Sequence, residues 1–174
     1  MPEPIVPDTK DWTWVLEQQC SECGFDPTAQ TLAEVPRLIH DTAMVWTAVL
    51  RRPDATQRPT PDVWSPLEYA CHVRDVHRLF AARVDLMLSA DAPTFADWDQ
   101  DETAIASRYA DQDPSVVDVD LIEAAGHVAG LYSTVTPATS GRRGFRSNGS
   151  VYTIETIGLY HLHDVLHHVH DVGA

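Results

Sequence analysis

Positive charge is what this chain has least of. Its 174 residues include 12 Lys and Arg, of which Lys10 is the single lysine, against 26 Asp and Glu, so the formal charge with neutral histidine is −14. Such a deficit excludes the basic footprint that nucleic acids and anionic membrane surfaces require, since both are recognised through clustered Lys and Arg. Cysteine is scarce as well. Cys20, Cys23 and Cys71 cannot all pair with one another, and a reducing compartment disfavours structural disulfides, so they read as thiols. Long apolar runs are missing: nothing approaches the ~20 residues of a bilayer-spanning helix, and Met1-Pro2-Glu3-Pro4 has neither the basic start nor the apolar stretch of a secretory signal. The cytoplasm is the expected compartment, with small molecules, metal ions and protein partners as the remaining classes of ligand.

What is present is enough for one globular unit. With 44% hydrophobic residues in 19.3 kDa, the chain buries roughly two-thirds of its unfolded surface without staples, which predicts a single domain over 1–174. Residues 1–30, rich in Pro, Asp and Thr and carrying Trp12, Trp14 and Cys20-x-x-Cys23, read as an irregular arm. Val35, Leu38, Ile39, Ala43, Trp46, Val49 and Leu50 then recur at helical spacing after a Thr31/Glu34 capping pair. Pro36 marks either a kink or the true first turn.

Ser65-Pro66-Leu67-Glu68 is the clearest helix start, combining an N-cap, a proline at the first position and a capping-box glutamate. That second helix runs to about Ser89. A long acidic link over 91–112 follows, which is either functional or hides a short helix. Asp113-Pro114 opens a third helix, Asn148-Gly149 signals a hairpin over 144–152, and a fourth helix begins at Thr153. The predicted class is all-α: a four-helix bundle with a long crossover link and a short β-hairpin before the last helix.

Nine histidines stand out in a chain of this size, and five of them, His161, His163, His167, His168 and His170, fall within ten positions of the last helix. Residues four apart lie on one helical face, so His163/His167 and Asp164/His168 are both able to chelate one ion. Helical phase leaves both pairs open, one on each flank of the stripe Leu162, Val165, Leu166, Val169 and Val172. His72, in phase with Tyr69 and Phe80 on the second helix, is the natural third ligand. Against this, a histidine in a last helical turn is favoured by the macrodipole alone, and a single histidine on an apolar face is more often a hydrogen-bonded core residue. Cys20-x-x-Cys23 reads as half of a zinc-ribbon site whose second half is missing, so two ordinary thiols are preferred over a redox pair or a metal shared with a histidine, and Cys71 reads as packing. The basic segment Arg142, Arg143, Arg146 either receives a carboxylate or balances the acidic link.

Two stretches carry a resemblance. Trp64-Ser65-Pro66-Leu67-Glu68-Tyr69-Ala70-Cys71-His72, and Leu162-His163-Asp164-Val165-Leu166-His167-His168-Val169-His170-Asp171-Val172, resemble the DinB-like superfamily of four-helix-bundle metalloenzymes, which includes mycothiol-dependent maleylpyruvate isomerases and bacillithiol transferases. In that superfamily a Trp lies eight residues before the first histidine ligand, as Trp64 lies before His72. Aligning the helix ending on Asp171-Val172 implies the ligand set His72, Asp164, His168. Where the family carries Glu or His, this chain carries Asp164, one methylene shorter, so His163 and His167 stand as the alternative ligands.

The resemblance implies a divalent cation, and imidazole and carboxylate ligands suit zinc first, with nickel, iron or manganese as options. It further implies a low-molecular-weight thiol such as mycothiol, activated for transfer to an electrophile or for isomerisation. Metal-activated water performing hydrolysis would use the same site. Asp75, Trp98, Asp99, Asp101 and Tyr160 are expected around the pocket, and the sequence assigns no catalytic residue. The competing reading is a non-catalytic, stress-related metal-binding bundle that forms a homodimer.

Overall fold

The computed structural model describes residue 5 and residues 10–174. Met1-Pro2-Glu3-Pro4 and the greater part of the first nine residues of the expected arm lie outside them. Beyond that point the arm holds two 3-10 turns, Trp12–Leu16 and Pro27–Ala29, capped by the Asp11 and Asp26 carboxylates that accept from Thr13 N and Thr28 N.

Four long helices follow the expected punctuation. Helix α1 spans Val35–Leu50 with Pro36 in its first turn. The Thr31/Glu34 pair stands one turn earlier, where the Glu34 carboxylate accepts from Thr31 N at 2.9 Å. Helix α2 spans Pro66–Ser89, and both capping-box bonds are made: Glu68 N donates to Ser65 Oγ at 3.2 Å and Ser65 N to Glu68 Oε2 at 2.9 Å. The 91–112 link is shorter on loop than its composition implies. It contains strand β1 (Thr94–Phe95) and helix α3 (Gln100–Ala106), which is capped by Asp99. Helix α4 is Pro114–Ser133 and helix α5 is Ile154–Asp171, the latter capped by Thr153.

The hairpin joins β2 (Arg143–Arg146) antiparallel to β3 (Val151–Thr153), with Gly149 at φ +98° in the turn. It is not isolated. β1 pairs parallel with β2, Thr94 opposite Phe145, which makes a three-stranded sheet and anchors the crossover link to the hairpin. A two-residue strand has no periodicity to read, which is why it escapes sequence reasoning.

α4 packs on α1 and α2, and α5 packs on α1 and α2, so the consecutive helices α1 and α2 meet each other much less than they meet α4 and α5. Ile39 and Trp46, Leu67 and Val84, Leu121 and Val128, and Ile157 and Leu162 fill the centre, all essentially without exposure. No helix among the described residues is long and apolar enough to cross a membrane.

Gly144 lies where the sheet meets α2. A Cβ there would stand 2.7 Å from Phe95 Cε1 and 2.8 Å from Met87 Sδ, below van der Waals contact. Gly144→Ala is expected to cost about 1–3 kcal/mol through overpacking, a fall of roughly 2–10 °C in Tm by calorimetry. An unchanged Tm would show that the sheet is free to move off the bundle.

The core also holds two histidines. His77 on α2 and His161 on α5 are fully buried, their Nδ1 and Nε2 are 3.0 Å apart, and Tyr132 Oη lies 3.2 Å from His161 Nδ1. His161 therefore belongs to the core stripe, which runs through Ile154, Ile157 and His161, while Leu166 and Val169 sit at its half-buried edge. Burial pushes His77 down to about 3, and burial with its neighbour His77 pushes His161 well below its ordinary value. The unfolded chain takes up protons near pH 6.5 that the folded chain refuses, so the pair costs nothing above that pH. Below it, stability falls by about 1.4 kcal/mol per pH unit for each histidine that charges only on unfolding. Urea unfolding at pH 7 and pH 5 in the presence of chelator is expected to show a steeper loss for the natural protein than for His77→Phe. Equal losses would contradict the neutral pair.

Candidate metal centre

α2 and α5 bring three polar side chains to one point. His72 Nε2 lies 3.7 Å from Asp164 Oδ1, and His168 Nε2 lies 3.6 Å from the same oxygen, with the two imidazole rings edge to face at 4.7 Å. One ligand atom from each of the three falls within 4.8 Å of the others. Nitrogen and oxygen ligands at about 2.0–2.2 Å from a tetrahedral ion are separated by roughly 3.3–3.6 Å, so the set closes on a cation with little movement. The shorter Asp164 reaches the same point as both histidines.

The electrostatics favour a cation. His72 is fully buried, neither of its ring nitrogens makes a hydrogen bond among the described residues, and Asp164 Oδ1 is likewise uncompensated. Buried polar atoms without partners are costly, and an ion held between His72 Nε2 and Asp164 Oδ1 would satisfy both of these. Burial pushes His72 below its ordinary value, which keeps it neutral and able to ligate. Burial works against a charge on Asp164, yet the nearby imidazoles of His72 and His168 hold its carboxyl below the usual carboxylate range. Asp171 Oδ2 lies 2.9 Å from His168 Nδ1. That contact fixes the proton on Nδ1 and leaves the Nε2 lone pair directed at the centre.

The centre lies in a cleft of about 840 Å3 whose lining includes Trp64, Trp98, Tyr160 and Arg146. Trp98 stacks on His72 with ring centroids 5.4 Å apart, and Tyr69 stands 5.3 Å from His168. Asp99 and Asp101 line the cleft from the start of α3, where Asp99 also caps the helix. Asp75 is placed elsewhere: its carboxylate accepts from Arg74 at 2.9 Å and from Tyr109 Oη at 2.6 Å, which ties α2 to the link. The basic segment does not act as one cluster. Arg142 donates to the Leu88 and Ala90 carbonyls at the end of α2, Arg143 is exposed, and Arg146 turns into the cleft wall.

His163 and His167 leave α5 on its other flank and meet the arm, not His72. Trp12 packs on both rings, at 5.6 and 5.0 Å, and Phe25 stands edge-on to His163 at 5.4 Å. Cys20 Sγ is 3.7 Å from His167 Nδ1. One ligand atom from each of Cys20, Cys23, His163 and His167 lies within 4.8 Å of the others. Cys20 and Cys23 are free thiols, as the sequence reading has them, and the fold sets them beside two histidines of α5, with 147 positions between Cys20 and His167. Of the histidines that a metal shared with the Cys-x2-Cys pair could use, the sequence singles out none; the fold brings His163 and His167 there. Burial pushes the Cys23 thiol up to about 11 and His163 down to about 4. Cys71 is packed in the core, and burial pushes its thiol up to about 12.

No family model and no curated protein matches this chain. Among solved structures, YfiT from Bacillus subtilis superposes on 80% of this chain and 81% of its own with a TM-score of 0.68 and 20% sequence identity. It is described as a probable metal-dependent hydrolase with an unusual four-helix bundle topology. At that identity the likeness establishes a shared fold.

Proposed function

We propose that the protein is a divalent-metal-dependent enzyme of the DinB-like type, in which His72, Asp164 and His168 hold the ion and the cleft admits a low-molecular-weight thiol and its electrophilic substrate. One observation carries the reading: three ligand atoms converge at the cleft while both nitrogens of His72 and one oxygen of Asp164 are buried without other hydrogen bonds. Three protein ligands with a position left open is the arrangement of a reactive site and not of a structural one. When bound, such an ion supplies Lewis acidity, lowering the proton affinity of a thiol or a water at its open position.

The chain's own groups do the rest. Asp171 keeps the His168 proton on Nδ1. Trp98, stacked on His72, keeps water off one face of that imidazole. Arg146, which faces Asp97 at 3.6 Å, brings one cation to the acidic wall of the cleft. A cleft of about 840 Å3 exceeds the needs of water alone and is roomy enough for a thiol cosubstrate beside its acceptor.

Hydrolysis is the second reading, favoured by the fold shared with YfiT, and a non-catalytic metal-binding bundle is the third. Untagged protein is expected to retain metal by elemental analysis, and metal-loaded protein to consume a thiol with a model electrophile such as a chlorinated nitrobenzene. Loss of that activity on treatment with chelator, with no cleavage of model esters or amides, would favour transfer. Ester or amide cleavage without thiol would replace it by hydrolysis, and metal retention with neither would leave the binding bundle.

A further inference from the structure

We infer that the protein carries a second metal site of the closed type, in which Cys20, Cys23, His163 and His167 clasp a tetrahedral zinc-class ion that fastens the N-terminal arm to α5. The inference is independent of the reaction at the first centre.

The ligand chemistry is that of structural zinc: two thiolates and two imidazoles, spaced Cys-x2-Cys and His-x3-His. Zinc bonds of about 2.0 Å to nitrogen and 2.3 Å to sulfur set ligand atoms roughly 3.3–3.8 Å apart at the corners of a tetrahedron. The 3.7 Å between Cys20 Sγ and His167 Nδ1 already matches one edge, and all four atoms lie within 4.8 Å of one another. Two thiolates neutralise a divalent charge, which suits a cluster where Cys20, His163 and His167 are all buried.

The local backbone is built for it. Cys20 N donates to Phe25 O at 2.8 Å and Gly24 N to Cys20 O at 2.9 Å, closing a tight turn that returns Cys23 beside Cys20. Gly24 sits at φ +77°, a conformation side chains rarely adopt. The imidazoles show the same preparation. His167 Nε2 faces Glu22 Oε2 at 3.4 Å and Asp171 Oδ1 at 3.7 Å, so its proton is drawn to that side and Nδ1 is left for an ion. His163 Nε2 is buried with no hydrogen-bond partner among the described residues, a second observation pointing to a missing ligand contact. With four protein ligands there is no open position, so the ion would hold structure and not substrate. Trp12, packed on both histidines, also lines the cleft, and the clasp would therefore set one wall of the first site.

Cobalt(II) reports this coordination directly, through thiolate-to-metal absorption in the near ultraviolet and intense visible bands from a tetrahedral ion. Reduced, chelator-treated protein is expected to develop both on addition of cobalt(II). His72→Ala and Cys71→Ser should keep the thiolate absorption, Cys20→Ser and Cys23→Ser should each reduce it by about half, and the double variant should lose it. Saturation of the natural protein with cobalt(II) without thiolate absorption would overturn the site, and so would absorption that survives in the double variant. Because His72→Ala removes a ligand of the first centre only, failure there and failure here are read separately.

Discussion

Replacing His72 with alanine is expected to raise the dissociation constant of the first centre by more than about 100-fold while leaving the metal-free protein nearly as stable as before. The affinity loss exceeds the range of about 10- to 100-fold seen when groups that merely orient a ligand are removed, because His72 is proposed as a ligand itself. The small effect on the metal-free fold has a separate cause. Truncation opens a cavity in a fully buried position, but it also removes two buried nitrogens that make no hydrogen bond among the described residues. The two terms have opposite sign.

The same substitution separates binding from folding in a thermal measurement. With Cys20→Ser and Cys23→Ser in both proteins, so that thiol ligands do not contribute, metal at about 100 times its dissociation constant stabilises a one-site protein by about 2.7 kcal/mol. For a chain of this length that corresponds to a Tm rise of roughly 5–10 °C. The rise should be present with His72 and absent with His72→Ala. An equal rise in both would mean that His72 is not a ligand.

Asp171→Ala is the second large effect, expected to weaken the first centre by about 10- to 100-fold without removing any ligand. Asp171 Oδ2 lies 2.9 Å from His168 Nδ1, and Oδ1 lies 3.7 Å from His167 Nε2, so one carboxylate orients a histidine of each cluster. Burial opposes its charge, but the His168 bond and the nearby His167 hold the carboxyl below its ordinary value. Without it, His168 is free to carry its proton on Nε2, where the lone pair is needed, and to rotate away. Asp171→Asn retains an oxygen that accepts from Nδ1–H, so its loss should be smaller than that of alanine. Competition for zinc against a chromophoric chelator, with Cys20→Ser and Cys23→Ser in every protein compared, measures both. Affinity within twofold of the natural protein for Asp171→Ala would remove the orienting role.

Local rules accounted for the long elements. The Ser65/Glu68 box and the Asp113-Pro114 start are decided by bonds between residues three apart or fewer, and such bonds can be read from the chain. The phase of His72 against Tyr69 and Phe80 also placed it correctly inside the bundle, since a helix carries its period through its whole length. The flanks of α5 were harder. Phase separated Asp164/His168 from His163/His167, but only packing shows that the first pair meets α2 and the second meets the arm. In the sequence Asp171 is an alignment mark, and its hold on two imidazoles depends on how the side chains at the end of α5 pack. His77, paired with His161 across the core, and β1, paired with β2, depend on contacts between distant segments that leave no local signature.

Crystals of zinc-loaded protein, measured on both sides of the zinc absorption edge, test the central claim most directly. An anomalous peak bounded by His72 Nε2, Asp164 Oδ1 and His168 Nε2 is the predicted result. Density confined to other positions, with none at that point under saturating zinc, would contradict it.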